Sequence, residues 1–369
     1  MKTAVLNVVA LNDALIARAP RIRAFVESGR RRHLEPDVPA VTCTAQASML
    51  TGTTPDQHGI VANGWYNREA AEVQFWKQSN HLVQGEKVWE TARRHAPSIT
   101  CATLFWWYNM YSSADWSVTP RPIYKADGRK IPDCYSHPAE LRDRLQAELG
   151  TFPLFRFWGP ATSIASTRWI ADSTRLVCTR HDPTLTLVYL PHLDYNLQKL
   201  GPDHADISRD IAEIDTVVGD LIDFFHARAT RVVLLSEYGI EPVTDAVHIN
   251  RALREAGLLA VRVEQGLELL DAGASGAFAV VDHQVAHIYV RDRDRIEAVG
   301  EYLAALPGIA HVWDRADQSR RHLDHPRAGE LIAVADAGRW FAYDYWLDDR
   351  CAPDFARTVD IHRKPGYDP

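Results

Sequence analysis

Residues 38–66 read VPAVTCTAQASMLTGTTPDQHGIVANGWY. Thr42 is expected at the end of a strand, with a short helix following over 44–50. A helix start leaves backbone N–H groups unpaired and pointing outward, where they favour an anion. Asn63 follows Thr42 by 21 residues. Its side-chain amide is suited to donate to an oxygen on which charge builds. The plainer alternative makes Thr42 or Thr44 an N-cap and Asn63-Gly64 an ordinary turn. These residues alone leave both readings open.

Outward from this segment, four short apolar runs stand out: 4–11 (AVLNVVAL), 98–104 (SITCATL), 184–190 (TLTLVYL) and 231–236 (RVVLLS). Each precedes a polar turn and then helix-like periodicity, clearest over 207–228. Buried strands alternating with helices predict an α/β fold. It has a mostly parallel central sheet and helices on both faces. Ligands of such sheets sit at the carboxyl ends of the strands. Residues 278–290 and 329–346 alternate like antiparallel or edge strands, and 291–313 read as a helix and a strand. The expected organisation is one domain over 1–369. It carries an irregular, lid-like insertion near 105–169 and a smaller α+β cap subdomain near 250–330.

The chain has 369 residues, a net charge of −7 and a pI near 6.1. That balance lacks the basic surplus that drives binding to a nucleic-acid polymer or an anionic membrane. It suits a small metabolite or nucleotide better. The five cysteines, Cys43, Cys101, Cys134, Cys178 and Cys351, are odd in number and never at CxxC spacing. Free thiols in a reducing compartment are therefore expected. The opening MKTAVLNVVALNDALI reads as the first buried strand rather than a leader peptide, and no stretch is long and apolar enough to span a bilayer. The expectation is a soluble, cytoplasmic protein.

Segment 38–66 resembles the nucleophile segment of the nucleotide pyrophosphatase/phosphodiesterase branch of the alkaline phosphatase superfamily. Thr42 lies nine residues before Thr51-Gly52, and His58-Gly59-Ile60 and Asn63 follow at the family's spacing. Three further segments resemble the family's metal-binding motifs. In LPHLDYNLQKLGPD (190–203), Asp194 and Gly201-Pro202 are in register, and Gln198 stands at a histidine position. In LLSEYGI (234–240), Glu237 and Tyr238 stand at the aspartate and histidine positions. In DIHRKPGYDP, His362 matches the last metal-binding histidine. The sequence stops within this motif, and a few more residues are expected downstream. The first strand fits worst: Val9-Ala10 replaces the family's Asp-Gly, leaving Asn12 or Asp13 to reach in from the next turn.

The resemblance implies a phosphoric-ester hydrolase with Thr42 as nucleophile, Asn63 on the phosphate, and metal held by Asp194, Gln198, Glu237, Tyr238 and His362. A two-zinc centre needs several carboxylates and imidazoles. Gln198 offers a neutral oxygen, Tyr238 ionises only near pH 10 unaided, and Val9 offers nothing. One divalent ion, Mn, Mg or Zn, is therefore expected rather than two. His192, His283, His287 and His325 are more often packed or hydrogen-bonded histidines than ligands. Asp282 with His283 marks a possible separate site. Trp106, Trp107, Tyr108 and Tyr111 either stack on a substrate ring or pack as a hydrophobic lid. Two other functions compete. One is a degraded or repurposed homologue that binds a phosphorylated metabolite or a partner enzyme, with Glu237 and Tyr238 as a candidate acid/base pair. The other is a phosphotransferase using the same intermediate.

Overall fold

The computed structural model describes residues 1–357. Contacts divide the chain into two compact units. One comprises Met1–Pro36, Met49–Gly52 and Gln78–Ile240, and the other Asp37–Ser48, Thr53–Lys77 and the described residues from Glu241 on.

The first unit is built on a six-stranded sheet. Its order is Arg231–Leu235, Thr3–Val8, Leu185–Leu190, Cys101–Leu104, Trp116–Pro120, Cys134–His137. The first five strands run parallel, and Cys134–His137 pairs antiparallel at the edge. All four apolar runs became strands of this sheet. Side-chain alternation explains why they read as continuous apolar runs. Ala4, Leu6, Val8, Val188 and Leu190 turn to one face and join a core with Ile170, Val177, Ile214 and Val218 from the helices Ile164–His181 and Ile207–Ala227. Val5, Leu185 and Leu187 turn to the other and pack with Leu50 and Trp89. Both faces are thus covered, and each fully buried aliphatic side chain contributes about 1.5–3 kcal/mol.

Residues 105–169 are less irregular than their composition suggests. They supply two strands of this sheet and the helix Ala139–Leu149. Short strands containing Trp, Pro and Cys carry too few residues for a period to register. Phe105, Trp106, Trp107 and Tyr108 are buried, whereas Tyr111 is 58% exposed. Trp106 joins the core beside Leu50 and Trp89. The packing reading therefore holds for Trp106, Trp107 and Tyr108 rather than the stacking one.

The second unit holds a four-stranded antiparallel sheet in the order Ala277–Asp282, Val285–Val290, Leu331–Ala335, Ile309–Trp313. Three of its strands fall in the segments that read as antiparallel, and Ile309–Trp313 is the strand read at the end of 291–313. The helix Ile296–Ala304 packs on it through Val299 and Leu303. The outer edge of Ala277–Asp282 is capped by a side chain. Buried Asn250 donates through Nδ2 to the Ala279 carbonyl (2.8 Å) and accepts the Ala279 N–H at Oδ1 (2.7 Å). An open strand edge is a template for unwanted pairing, and this amide closes it. All five cysteines are free. Among the described residues no helix is long and apolar enough to cross a membrane.

Replacing Asn250 with Ala strands two buried backbone groups. The expected loss is about 2–3 kcal/mol in a urea titration. A loss below about 0.5 kcal/mol would show that the edge needs no cap.

Candidate active site

Thr42 opens the helix Thr42–Thr51 and is buried, 4% exposed. The helix begins two residues earlier than expected, and the preceding residues form bends and no strand. Asn63 lies beside this helix start within the second unit. Its Oδ1 accepts the backbone N–H of Cys43 at 3.0 Å. One orphan donor of the first turn is thereby satisfied by a side chain 20 residues downstream. Asn63 is itself held by Asp282, whose Oδ2 accepts its backbone N–H (2.8 Å) and whose Oδ1 accepts from Nδ2 (3.2 Å). An amide carries two N–H donors, and Asp282 takes one of them. Asp282 is thus a holder of Asn63, with His283 Nε2 3.8 Å away.

The His58-Gly59-Ile60 turn is structural. His58 is fully buried. Its Nδ1 accepts from the Ile60 N–H (3.1 Å), so Nε2 carries the proton and donates to Ser48 Oγ at 2.9 Å. Burial above all, with the neighbouring His325 and Arg327, pushes its pKa down to about 4. Gly59 has φ +74°, and a Cβ there would meet His325 Nε2 at 2.9 Å. Both the backbone and the close approach require glycine.

In the first unit, the strand Leu185–Leu190 leads into the helix His192–Leu200. Asp194 and Gln198 are one turn apart on it and share a face. Gln198 Nε2 donates to Oδ1 (2.9 Å) and Oδ2 (3.0 Å) of Asp194. The Tyr238 hydroxyl donates to Asp194 Oδ1 at 2.9 Å. The structure thus brings Asp194, Gln198 and Tyr238 together. Glu237, 2% exposed, accepts a short hydrogen bond from Asn7 Nδ2. Asn12 and Asp13, the substitutes expected for Val9, line a cleft with Glu237 and Tyr238, but each is engaged locally. Asn12 caps the helix Asp13–Ile16 by accepting from Leu15 N, and Asp13 pairs with Arg31. Val9 is fully buried. His362 lies outside the described residues.

A family model for type I phosphodiesterase / nucleotide pyrophosphatase matches residues 3–368. The chain belongs to this family. An uncharacterized pyrophosphatase/phosphodiesterase of Schizosaccharomyces pombe is 25% identical over 223 residues. That match covers 58% of this chain and 38% of the relative, so the chain spans well under half of the curated protein it matches. Among solved structures, an inactive murine ectonucleotide pyrophosphatase / phosphodiesterase 5 in complex with AMP is 15% identical. It has a TM-score of 0.60 and covers 92% of this chain and 80% of its own. Phosphonoacetate hydrolase from Sinorhizobium meliloti with phosphonoacetate is 16% identical at a TM-score of 0.64, covering 92% and 82%. These likenesses establish the alkaline phosphatase-like fold.

The described donors of the Asp194 group suit a divalent ion. Asp194, Gln198 and Tyr238 form an all-oxygen group, and buried Gln198 Oε1 has no hydrogen-bond partner. Such a set favours a hard cation over a second zinc. Sequence reasoning missed Asn7. A polar side chain buried inside TAVLNV has to find a partner, and that requirement was the available signal. Two other histidines are structural. His287 sits between the Val61 carbonyl (3.1 Å) and the Gly329 N–H (3.2 Å), and His325 Nδ1 accepts from Arg327 N.

His58 remains neutral in the folded chain down to about pH 4, whereas an unfolded histidine takes a proton near pH 6.5. Its contribution is complete above pH 6.5 and is lost as the pH falls toward 4, by about 3 kcal/mol in all. Unfolding free energies measured between pH 7 and 4.5 should fall, and His58→Gln should flatten that slope. An equal slope in wild type and variant would refute the assignment.

Proposed function

We propose that the chain is a metal-dependent phosphoric-ester hydrolase acting on a small phosphorylated metabolite, with Thr42 as nucleophile. The observation that carries this reading is the Asn63 bridge to the first turn of the Thr42 helix, within a family match over nearly the whole chain. The Thr42 hydroxyl attacks phosphorus, the ester oxygen leaves with the bonding pair, and a phosphothreonine forms. Water then cleaves the phosphothreonine and restores the hydroxyl. The second amide N–H of Asn63 donates to a non-bridging oxygen as charge builds there, and Asp282 fixes its direction. Asp194, Gln198 and Tyr238, with Glu237 and His362 as further candidates, are assigned to one divalent ion, Mn, Mg or Zn. When bound, that ion would offset phosphate charge.

Phosphodiesters or pyrophosphates are the proposed substrates, on the family's name. The AMP and phosphonoacetate held by the two solved neighbours support a small phosphorus-bearing molecule. A cleft in the first unit is lined by Arg30, Arg31, Arg32 and His33 as well as Glu237 and Tyr238. Its positive rim suits an anionic substrate. Binding without turnover is the second reading. The substitution at Val9 and the engagement of the Tyr238 hydroxyl by Asp194 favour it.

Hydrolysis of bis-p-nitrophenyl phosphate should appear with Mn, Mg or Zn and vanish with chelator. Thr42→Ala should lower kcat by about a thousandfold or more, and Thr42→Ser should recover part of it. No turnover under any metal would establish the binding reading, and full activity in Thr42→Ala would remove the nucleophile. The paired variant Gln198→His with Tyr238→His restores imidazoles at the family's positions. It should tighten Zn binding at least about tenfold, measured by competition with a chelating dye. Unchanged affinity would separate these positions from the metal.

A further inference from the structure

We propose a second, separate cation site in the first unit, a zinc-type centre formed by His192, Asp210 and Glu213. It does not depend on the catalytic reading above. His192 is the first residue of the helix His192–Leu200, and Asp210 and Glu213 lie three apart on one face of Ile207–Ala227. His192 Nε2 is 3.2 Å from Glu213 Oε2 and 3.6 Å from Asp210 Oδ1. One ligand atom from each of the three residues falls within 4.8 Å of the others. Zinc bonds of about 2.0–2.1 Å in tetrahedral geometry separate neighbouring ligand atoms by about 3.3–3.4 Å, which these spacings bracket.

The surroundings prepare the same three atoms. Asn196 Nδ2 donates to Asp210 Oδ2 at 2.7 Å, leaving Oδ1 toward the histidine. Arg209 Nε lies 3.5 Å from Glu213 Oε1, leaving Oε2 toward it. Each carboxylate is held by one oxygen and presents the other, the arrangement that outer partners impose on metal ligands. His192 is 3% exposed, its Nδ1 has no hydrogen-bond partner, and its Nε2 lies 3.2 Å from Glu213 Oε2 without the alignment of a full hydrogen bond. A buried imidazole without partners is costly, and its Nε2 faces two carboxylate oxygens. Two carboxylates and a neutral imidazole carry a charge of −2, which a divalent ion cancels. Glu213, 21% exposed at its side chain, leaves the fourth position open to water.

The ion would staple the first turn of His192–Leu200 to Ile207–Ala227. The test uses the full chain, stripped with chelator and titrated with Zn2+ by calorimetry and with Co2+ by visible absorption. The Asp210→Asn/Glu213→Gln double variant, nearly unchanged in shape, should bind one equivalent fewer, or bind it at least about a hundredfold more weakly. It should also lose the intense absorption of four-coordinate Co2+, which Asp194→Asn keeps whatever it loses at its own group. Loss of that absorption in Asp194→Asn alone, or identical stoichiometry and spectra in wild type and double variant, would overturn the proposal. If the double variant does not fold, His192→Asn is read by the Zn2+-induced rise in Tm. That rise should disappear, and its persistence would overturn the site. Absence of phosphodiesterase activity bears on Thr42 and leaves this outcome untouched.

Discussion

Asn63 ties three pieces of the second unit through one side chain and its own backbone. Its Oδ1 terminates the helix that begins at Thr42, while its N–H groups end on Asp282 at the close of the strand Ala277–Asp282. Asp282 is buried, and a buried carboxylate is tolerable only where donors surround it. Asn63 supplies two of them. The helix start, the turn and the strand end therefore share one set of charge-assisted bonds. Removing any member leaves a buried polar group without its partner. This dependence gives a physical reason for the fixed interval between Thr42 and Asn63. The interval is the chain needed to complete the helix, make the His58-Gly59 turn and return.

The buried histidines show how much such closure costs and achieves. His58 and His287 each accept a backbone N–H at one ring nitrogen, and burial pushes both down to about 4. Kept neutral, they work as rigid two-ended connectors rather than as acids. His58 links the turn to Ser48 on the helix that begins at Thr42. The His58-Gly59-Ile60 turn is thus a packing device that fixes where the helix lies.

The parallel sheet was legible because burial on both faces leaves uninterrupted apolar runs such as TLTLVYL, and the long helix at 207–227 because 21 residues repeat one period six times. Membership of the phosphodiesterase family was legible in residues 38–66 because several residues recur at set intervals. What stayed hidden was short or long-range. The strands Trp116–Pro120 and Cys134–His137 hold five and four residues, too few for a period to emerge from aromatic and proline-rich surroundings. Asn7 meets Glu237 across 230 residues, and Asn63 meets Asp282 across 219. Nothing local distinguishes an asparagine that will find such a partner from one that turns to solvent. The strand expected before Thr42 failed for the opposite reason. Val38 to Val41 is apolar enough for a strand but forms bends and pairs with none.

The changes at Gln198 and Tyr238 are chemically consistent with each other. A carboxylate that loses two zinc-bound histidine neighbours must find other donors or stay protonated. Gln198 and Tyr238 are both donors, and both turn to Asp194. Asp194 therefore accepts hydrogen bonds from two neutral side chains. An arriving cation has to compete with these hydrogen bonds, so affinity at this group falls relative to a site whose ligands have no alternative partners. The same competition favours ions that take oxygen donors readily, since Gln198 can turn its unpartnered Oε1 toward an ion while keeping Nε2 on Asp194. On the proposed function, such a group suits weaker, exchangeable binding of a harder ion better than tight zinc capture.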